Sequence, residues 1–314
     1  MQATLIANPA ARLVERVISL DEVVACLQGS GLELEVRETS EPGDARRFAA
    51  EAVAAGVSRV IAAGGDGTIN EVIQSLANTD TELAIVPLGT GNVIARYAGL
   101  DDRHYSTSCD VAAAGKVVTI DLGLMDGRYF LATAGAGIDA QVALNLDPWW
   151  KQRLGKIAFV TEFFRSMLMQ EPSVFRVSID DQVIEGPMWG VLICNTNEFT
   201  WRLHPVPDVR EDDGLLDVVF IHRQGFLDFL DLAVRMFFAG ETAAGHPTAT
   251  VVRAGRMHIE ANPPVPWQVE GEPLGMTPVA VEVIPKGLKL VVCGYKTGPK
   301  CTDEVNRCND LGRK

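Results

Sequence analysis

The 314-residue sequence predicts an α/β domain built on a parallel sheet, joined to an antiparallel β-sandwich. Three observations predict this. The length is about that of two domains, and 47% apolar residues give material for two cores. Strand-like and helix-like segments alternate through the first third, the order of a parallel sheet covered by helices on both faces. From about residue 117 strands follow strands instead, which argues for antiparallel pairing.

ATLIAN (3–8) is a short apolar run ending in Asn-Pro, and residues 12–28 have helical spacing. LELEVRET (32–39) alternates with period two, and GDARRFAAEAVAAG (43–56) is an alanine-rich helix stopped by Gly56. SRVIAA (58–63) is a third strand, and ELAIVPLG (82–89) a fourth, leading into a helix over GNVIARYAGL (91–100). KVVTIDLGLMDGRYFLATAG then reads as two strands around Asp126-Gly127, a hairpin signal. A helical stretch at 154–170 precedes VFRVSI (174–179), QVIEGPMWGVLICN (182–195), GLLDVVFI (214–221), RMHIEA (256–261), PVAVEVI (278–284) and LKLVVC (288–293). Residues 226–238 predict an amphipathic helix within this series.

The net charge of −13 argues against a nucleic-acid binder, which needs a basic face. The six cysteines form no CxxC pair, which predicts free thiols in a reducing cytoplasm, and the histidine spacing argues against zinc. No run approaches ~18 apolar residues, so the expectation is a soluble, cytoplasmic protein.

Chemistry is signalled first by IAAGGDGTINEVIQSLA (61–77). Ile69, Val72, Ile73 and Leu76 share one helical face, and Thr68 with Glu71 has the form of a capping box. Gly64, Gly65 and Gly67 with Thr68 then read either as a phosphate cradle at a helix N-terminus or as a tight strand–helix turn. Asp66 would repel an anion unless a cation such as Mg²⁺ bridged them. A second turn, PLGTGNVIAR (87–96), follows one strand–helix unit later, and carboxyl-end loops of such sheets converge on one crevice.

With GGDGTINEV (64–72) and PLGTGNVIAR in place, the sequence resembles the diacylglycerol kinase catalytic-domain family, which includes sphingosine and ceramide kinases. Asn8-Pro9, Thr39 with GDA (43–45), DLG (121–123), AGAGIDA (134–140), DDGLLDV (212–218) and EGE (270–272) support the resemblance in the family's order. It implies a nucleotide-binding domain at 1–118, to which 287–300 return, a sandwich for the lipid substrate at 119–286, and a tail at 301–314. ATP would lie in the cleft between the domains. The resemblance assigns ATP contacts to Asn8, Pro9, Ala10, Ala11, Arg12, Thr39, Gly64, Gly65, Asp66, Gly67, Thr68, Asn70, Glu71 and Thr90. It places Mg²⁺ near Arg210, Asp213 and Leu215, and a general base at Glu272, with Asp66 positioning Mg–ATP. The implied activity is transfer of the ATP γ-phosphate to a lipid alcohol, with diacylglycerol the default.

Three departures from the family pattern stand out. Ala10-Ala11-Arg12 replaces Ser-Gly after the Asn-Pro, Glu270 replaces Asp before Gly-Glu, and TNEFTWRLHP lacks the usual glycines. An extended EGE segment would put Glu270 and Glu272 on one face; the plain alternative is a polar turn before Pro273. Trp149, Trp150, Lys151, Arg153 and Lys156 combine aromatic and basic groups suited to peripheral docking on an anionic inner membrane face, or else the tryptophans pack into a core. GAGIDA (135–140) fits a dinucleotide fingerprint without the acid-ended strand that fingerprint needs, so it reads as a tight turn. Two other functions stay open: an NAD kinase-like small-molecule kinase, since Asn197-Glu198 resembles its ribose-binding pair, and a non-catalytic nucleotide or lipid binder. Exposed sandwich edges also offer a route to a homodimer.

Overall fold

The computed structural model describes residues 1–11, 19–100, 105–145, 161–163, 165–166, 173–180, 182–198 and 204–294. Arg12, Trp149, Trp150, Lys151, Arg153, Lys156, the greater part of the 154–170 helix, the 301–314 tail, Cys301 and Cys308 lie outside the described residues. The chain divides into two compact units, Met1–Leu122 with Pro285–Lys314, and Gly123–Ile284.

In the first unit the strands are β1 (Gln2–Ala7), β2 (Glu33–Glu38), β3 (Arg59–Gly64) and β4 (Glu82–Pro87), in the spatial order β4-β3-β1-β2 with every pair parallel. The apolar runs β1, β3 and β4 are buried on both faces, as central parallel strands are, whereas the alternating, charged β2 is the largely exposed edge. Helices α1 (Leu20–Gly29), α2 (Asp44–Ala54), α3 (Asp66–Leu76), α4 (Val93–Tyr97) and α5 (Tyr105–Ala114) accompany them; α1 packs on α5, and α2 on α3. Ser19 and Glu22 form a reciprocal capping box that starts α1. Ile69, Val72, Ile73 and Leu76 are the fully buried stripe of α3. The strand order reverses at β1, so the crevice between the carboxyl ends of β1 and β3 is the topological switch point where such sheets bind ligands.

The second unit is antiparallel. The end of β5 (Lys116–Met125) pairs with β6 (Arg128–Phe130) across Asp126 and Gly127, both at positive φ, as a two-residue hairpin requires. β7 (Thr133–Gly137) leads directly into helix α6 (Ile138–Asn145). Then come β8 (Ser173–Ile179), β9 (Gln182–Cys194), β10 (Leu216–His222), helix α7 (Phe226–Val234) running into a π-helical turn (Arg235–Ala239), and β11 (Ala249–Ala254). The series closes with β12 (Arg256–Asn262), β13 (Pro266–Val269), β14 (Glu272–Met276) and β15 (Val279–Val292). β9 pairs with β8 through its first half and with β7 and β10 through its second, as a strand that switches sheets does. Phe130, Phe175, Phe220, Ile259, Trp267 and Val281 fill the core. β15 pairs antiparallel with β12 at Val279–Glu282, and its later residues Lys289 and Leu290 pair parallel with β4 of the first unit.

Several expectations need correction. The segments 278–284 and 288–293 are one continuous strand of 14 residues. Helix α5 and strands β11, β13 and β14 are further elements beyond those expected, although the β-branched Thr250, Val251 and Val252 of β11 suit a strand. EGE is not extended: Glu270 (φ 51) and Gly271 (φ 81) are the two turn residues between β13 and β14, closed by Val269 opposite Glu272.

Candidate active site

At the carboxyl edge of the parallel sheet the structure gathers Asn8, Pro9, Ala10, Ala11, Thr39, Gly64–Glu71 and Thr90. Asn8 shapes the turn after β1: its side-chain oxygen accepts from the Ala10 amide at 2.9 Å, and its Nδ2 donates to Thr68 Oγ1 at 3.2 Å. The Thr39 amide donates to Ala7 O at 2.9 Å, which ties the end of β2 to the end of β1.

The expected Thr68–Glu71 capping box is absent. Helix α3 starts three residues earlier, with Gly65 rather than Thr68 as the N-cap, and Gly65 offers no side chain. Thr68 is buried in the first turn, and Glu71 Oε1 accepts from the Gly43 amide at 3.0 Å instead. The first-turn amides of α3 therefore have neither an intrahelical acceptor nor a capping side chain, and the helix dipole adds positive character there. Asn70 is buried, and its Oδ1 accepts from Gln74 at 2.9 Å.

The glycines divide by role. A Cβ on Gly89 would lie 2.5 Å from Gly65 Cα, and one on Gly91 would lie 2.6 Å from Asp66 Oδ2. Gly89 lets the two turns press backbone on backbone, and Gly91 leaves room for the Asp66 carboxylate. Gly67 differs: it is exposed, with nothing within 4 Å of an added Cβ. Asp66 links the turns, since its Oδ1 accepts from the Ile94 amide at 3.3 Å at the start of α4. Burial raises the Asp66 carboxyl above its ordinary value, opposed by the Ile94, Val93 and Asn92 amides and by the Arg96 charge. Asn92, in the left-handed region, closes the second turn on itself through Gly89 N (3.1 Å) and Gly89 O (2.7 Å).

In the second unit the hairpin tip carries Glu270, Gly271 and Glu272. Glu270 Oε1 accepts from the Leu131 and Ala132 amides at 2.8 and 2.7 Å, which fixes the tip against the β6–β7 connection. Glu272 is exposed and pairs with Arg128 Nη2 at 3.0 Å; Arg128 Nε is buried with no partner among the described residues. In the 208–215 loop, Asp213 Oδ1 accepts from the Leu215 amide at 3.1 Å and Oδ2 faces Arg253 Nη1 at 3.3 Å. Arg253 also donates to Asp217 and to Asp208 O. No group of three or more His, Cys, Asp or Glu side chains among the described residues is arranged to hold a metal.

Residues 2–125 match the diacylglycerol kinase catalytic domain family, and residues 132–292 match the YegS C-terminal NAD kinase beta sandwich-like domain. The chain belongs to the diacylglycerol kinase and YegS-like family of lipid kinases. A Bacillus subtilis (strain 168) protein named diacylglycerol kinase is 27% identical to this kinase over 279 residues, covering 88% of this chain and 91% of its own. A Stenotrophomonas maltophilia (strain K279a) protein named "Probable lipid kinase YegS-like" is 30% identical over 282 residues, covering 86% and 90%. A solved structure from Bacillus anthracis strain Sterne is 25% identical with a TM-score of 0.78, covering 93% of this chain and 96% of that one. A second, described as a diacylglycerol kinase from the same strain, shares the fold at 22% identity, a TM-score of 0.71 and the same coverage.

Nucleotide use belongs to this kinase by family. Arg128, Gln268 and Asp139 were not singled out as site residues in the sequence. A lone glutamine inside the apolar run PVPWQV was the available signal. No helix among the described residues is long and apolar enough to cross a membrane.

Proposed function

We propose that this lipid kinase transfers the γ-phosphate of Mg–ATP to the free hydroxyl of diacylglycerol, giving phosphatidate. The observation that carries the ATP half is the uncapped N-terminus of α3 at the switch point, flanked by Asn8, Thr39 and the exposed Thr90. Its free amides suit phosphate oxygens, and Gly67 leaves them room. Phosphoryl transfer has a loose transition state, so positioning and charge neutralisation do most of the work.

A divalent ion supplies charge neutralisation on the phosphates. Asp66 Oδ1 and Glu71 Oε1 already accept backbone amides, so this turn is no preformed ion cage, and a Mg²⁺ here would arrive with the nucleotide. In the 208–215 loop each Asp213 oxygen accepts one hydrogen bond and keeps a further lone pair, so Asp213, with backbone oxygens of Arg210 and Leu215, would be the residues to hold a structural cation.

On the acceptor side, Glu272 orients the hydroxyl and takes its proton late, for which an ordinary carboxylate suffices. Leu274 and Met276, exposed on the same edge strand at 38% and 53%, give the acceptor side an apolar flank suited to a lipid. Docking of the cluster at Trp149, Trp150, Lys151 and Arg153 on an anionic membrane is part of the same proposal.

Labelled phosphate from ATP, offered to diacylglycerol, a sphingoid base, ceramide, a glycolipid and NAD, tests the reading. The expected product is phosphatidate, absent with Glu272→Gln. Label appearing in another lipid alone would replace diacylglycerol as the substrate, and label in NAD alone would end the lipid reading.

A further inference from the structure

Glu272 projects from a turn whose backbone is awkward for its own sequence. Two-residue hairpins of this kind favour Asn-Gly or Asp-Gly, because both residues need positive φ. Glutamate in the left-handed region costs about 1–2 kcal/mol. Side chains hold the turn in place, and the central one is Gln268.

Gln268 is 3% exposed and engaged at both ends. Its Oε1 accepts from the Gly271 amide at 2.6 Å, and its Nε2 donates to Asp139 Oδ2 at 2.9 Å. Partner chemistry fixes which end faces which, since an amide N–H needs an acceptor and a carboxylate needs a donor. Asp139 reaches this place from the first turn of α6, directly after the glycine run of β7. A side chain on Gly135 would collide with the Asp139 carboxyl, and Gly137 (φ 105) has no room for one, with Trp189 O 2.5 Å from an added Cβ. The AGAGIDA stretch thus admits a carboxylate beneath the hairpin.

We propose that Gln268, with Asp139 behind it, is a positioning residue for the transfer step, holding the Gly271 amide and so the place of Glu272. This rests on Glu272 as the group that orients the acceptor hydroxyl. Gly271 immediately precedes Glu272, so a shift of its amide displaces the carboxylate. A displacement near ~1 Å can cost about 100-fold in rate.

The test uses the full-length enzyme with labelled ATP and diacylglycerol in mixed micelles. Gln268→Met keeps the shape and loses both bonds; kcat is expected to fall at least about tenfold, with KM for ATP within about twofold. Gln268→Glu, which sets a second carboxylate against Asp139, is expected to lower kcat as well. Adding Asp139→Asn to it restores the 268–139 hydrogen bond with donor and acceptor exchanged, while the Gly271 amide still donates to an oxygen at 268, and kcat is expected to recover to within about threefold of wild type.

Unchanged kcat in Gln268→Met, or no recovery in the exchanged double variant, overturns the proposal. If Gln268→Met melts below the assay temperature, the exchanged pair alone decides. Glu272→Gln separates the two ideas. Retained wild-type rate there removes the base reading and this proposal with it; lost rate alongside wild-type Gln268 variants removes the positioning role alone.

Discussion

Asp66 does more than face a nucleotide: it fastens the two glycine turns together through the amides that open α4. Its burial makes the ionised form costly, so its carboxyl binds a proton more readily folded than unfolded. Between the unfolded and the raised folded value the native state holds more of this proton. Stability from this group therefore falls as pH rises through that window, then levels off at the ionised form's penalty. Asp66→Asn keeps an acceptor for the Ile94 amide and removes the charge. The variant is expected to melt no lower than wild type at pH 7 while losing phosphate transfer. A melting scan over pH with a parallel transfer assay checks this; a clear fall in melting temperature at neutral pH would show that the charge itself holds the turns.

At the scale of elements, the two strand–helix turns separate glycines that the fold needs from one that a ligand needs. Gly89→Ala forces a Cβ to 2.5 Å from Gly65 Cα, where no flexible side chain can yield. We expect a loss of about 1–3 kcal/mol, the range for overpacking, together with weakened ATP binding. Gly67→Ala meets open space inside a helix, where alanine outperforms glycine by about 1 kcal/mol. It should hold or raise the melting temperature while weakening ATP binding, because the new methyl stands where the phosphates approach. Wild-type ATP affinity in Gly67→Ala, read by calorimetry, would move the nucleotide away from this turn. The sequence could not sort these glycines, since spacing alone does not tell turn-on-turn packing from ligand approach. The buried stripe of α3 and the strands flanking it were legible because central parallel strands are continuous apolar runs. The β13–β14 hairpin was not, because EGEPLG is made of residues depleted from strands, and its pairing is set by contacts with β7 and the β6–β7 connection.

Across the whole molecule, the resemblance carried by motifs predicted the family and the pairing of a parallel sheet with a sandwich. The side chains that hold the acidic turn were hidden, since Arg128 meets Glu272, and Asp139 meets Gln268, only through long-range folding, although Gln268 reaches Gly271 locally. Net charge sets the last expectation. A protein of charge −13 is repelled as a body by an anionic membrane, so attachment has to come from a local cluster. Lys151, Arg153 and Lys156 beside Trp149 and Trp150 form such a cluster in the sequence. Interfacial tryptophans add apolar contact, while the basic groups act within a Debye length of about 10 Å at 0.1 M salt. Sedimentation with vesicles containing phosphatidylglycerol should fall as salt rises, and should fall further in the Trp149→Ala/Trp150→Ala variant at constant salt. Transfer to a short-chain, water-soluble diacylglycerol should stay at the wild-type rate in that variant, because only delivery to the surface is impaired. Undiminished sedimentation of the double variant would refute docking through this segment, and an equal loss on the soluble substrate would place the tryptophans in the folded core instead.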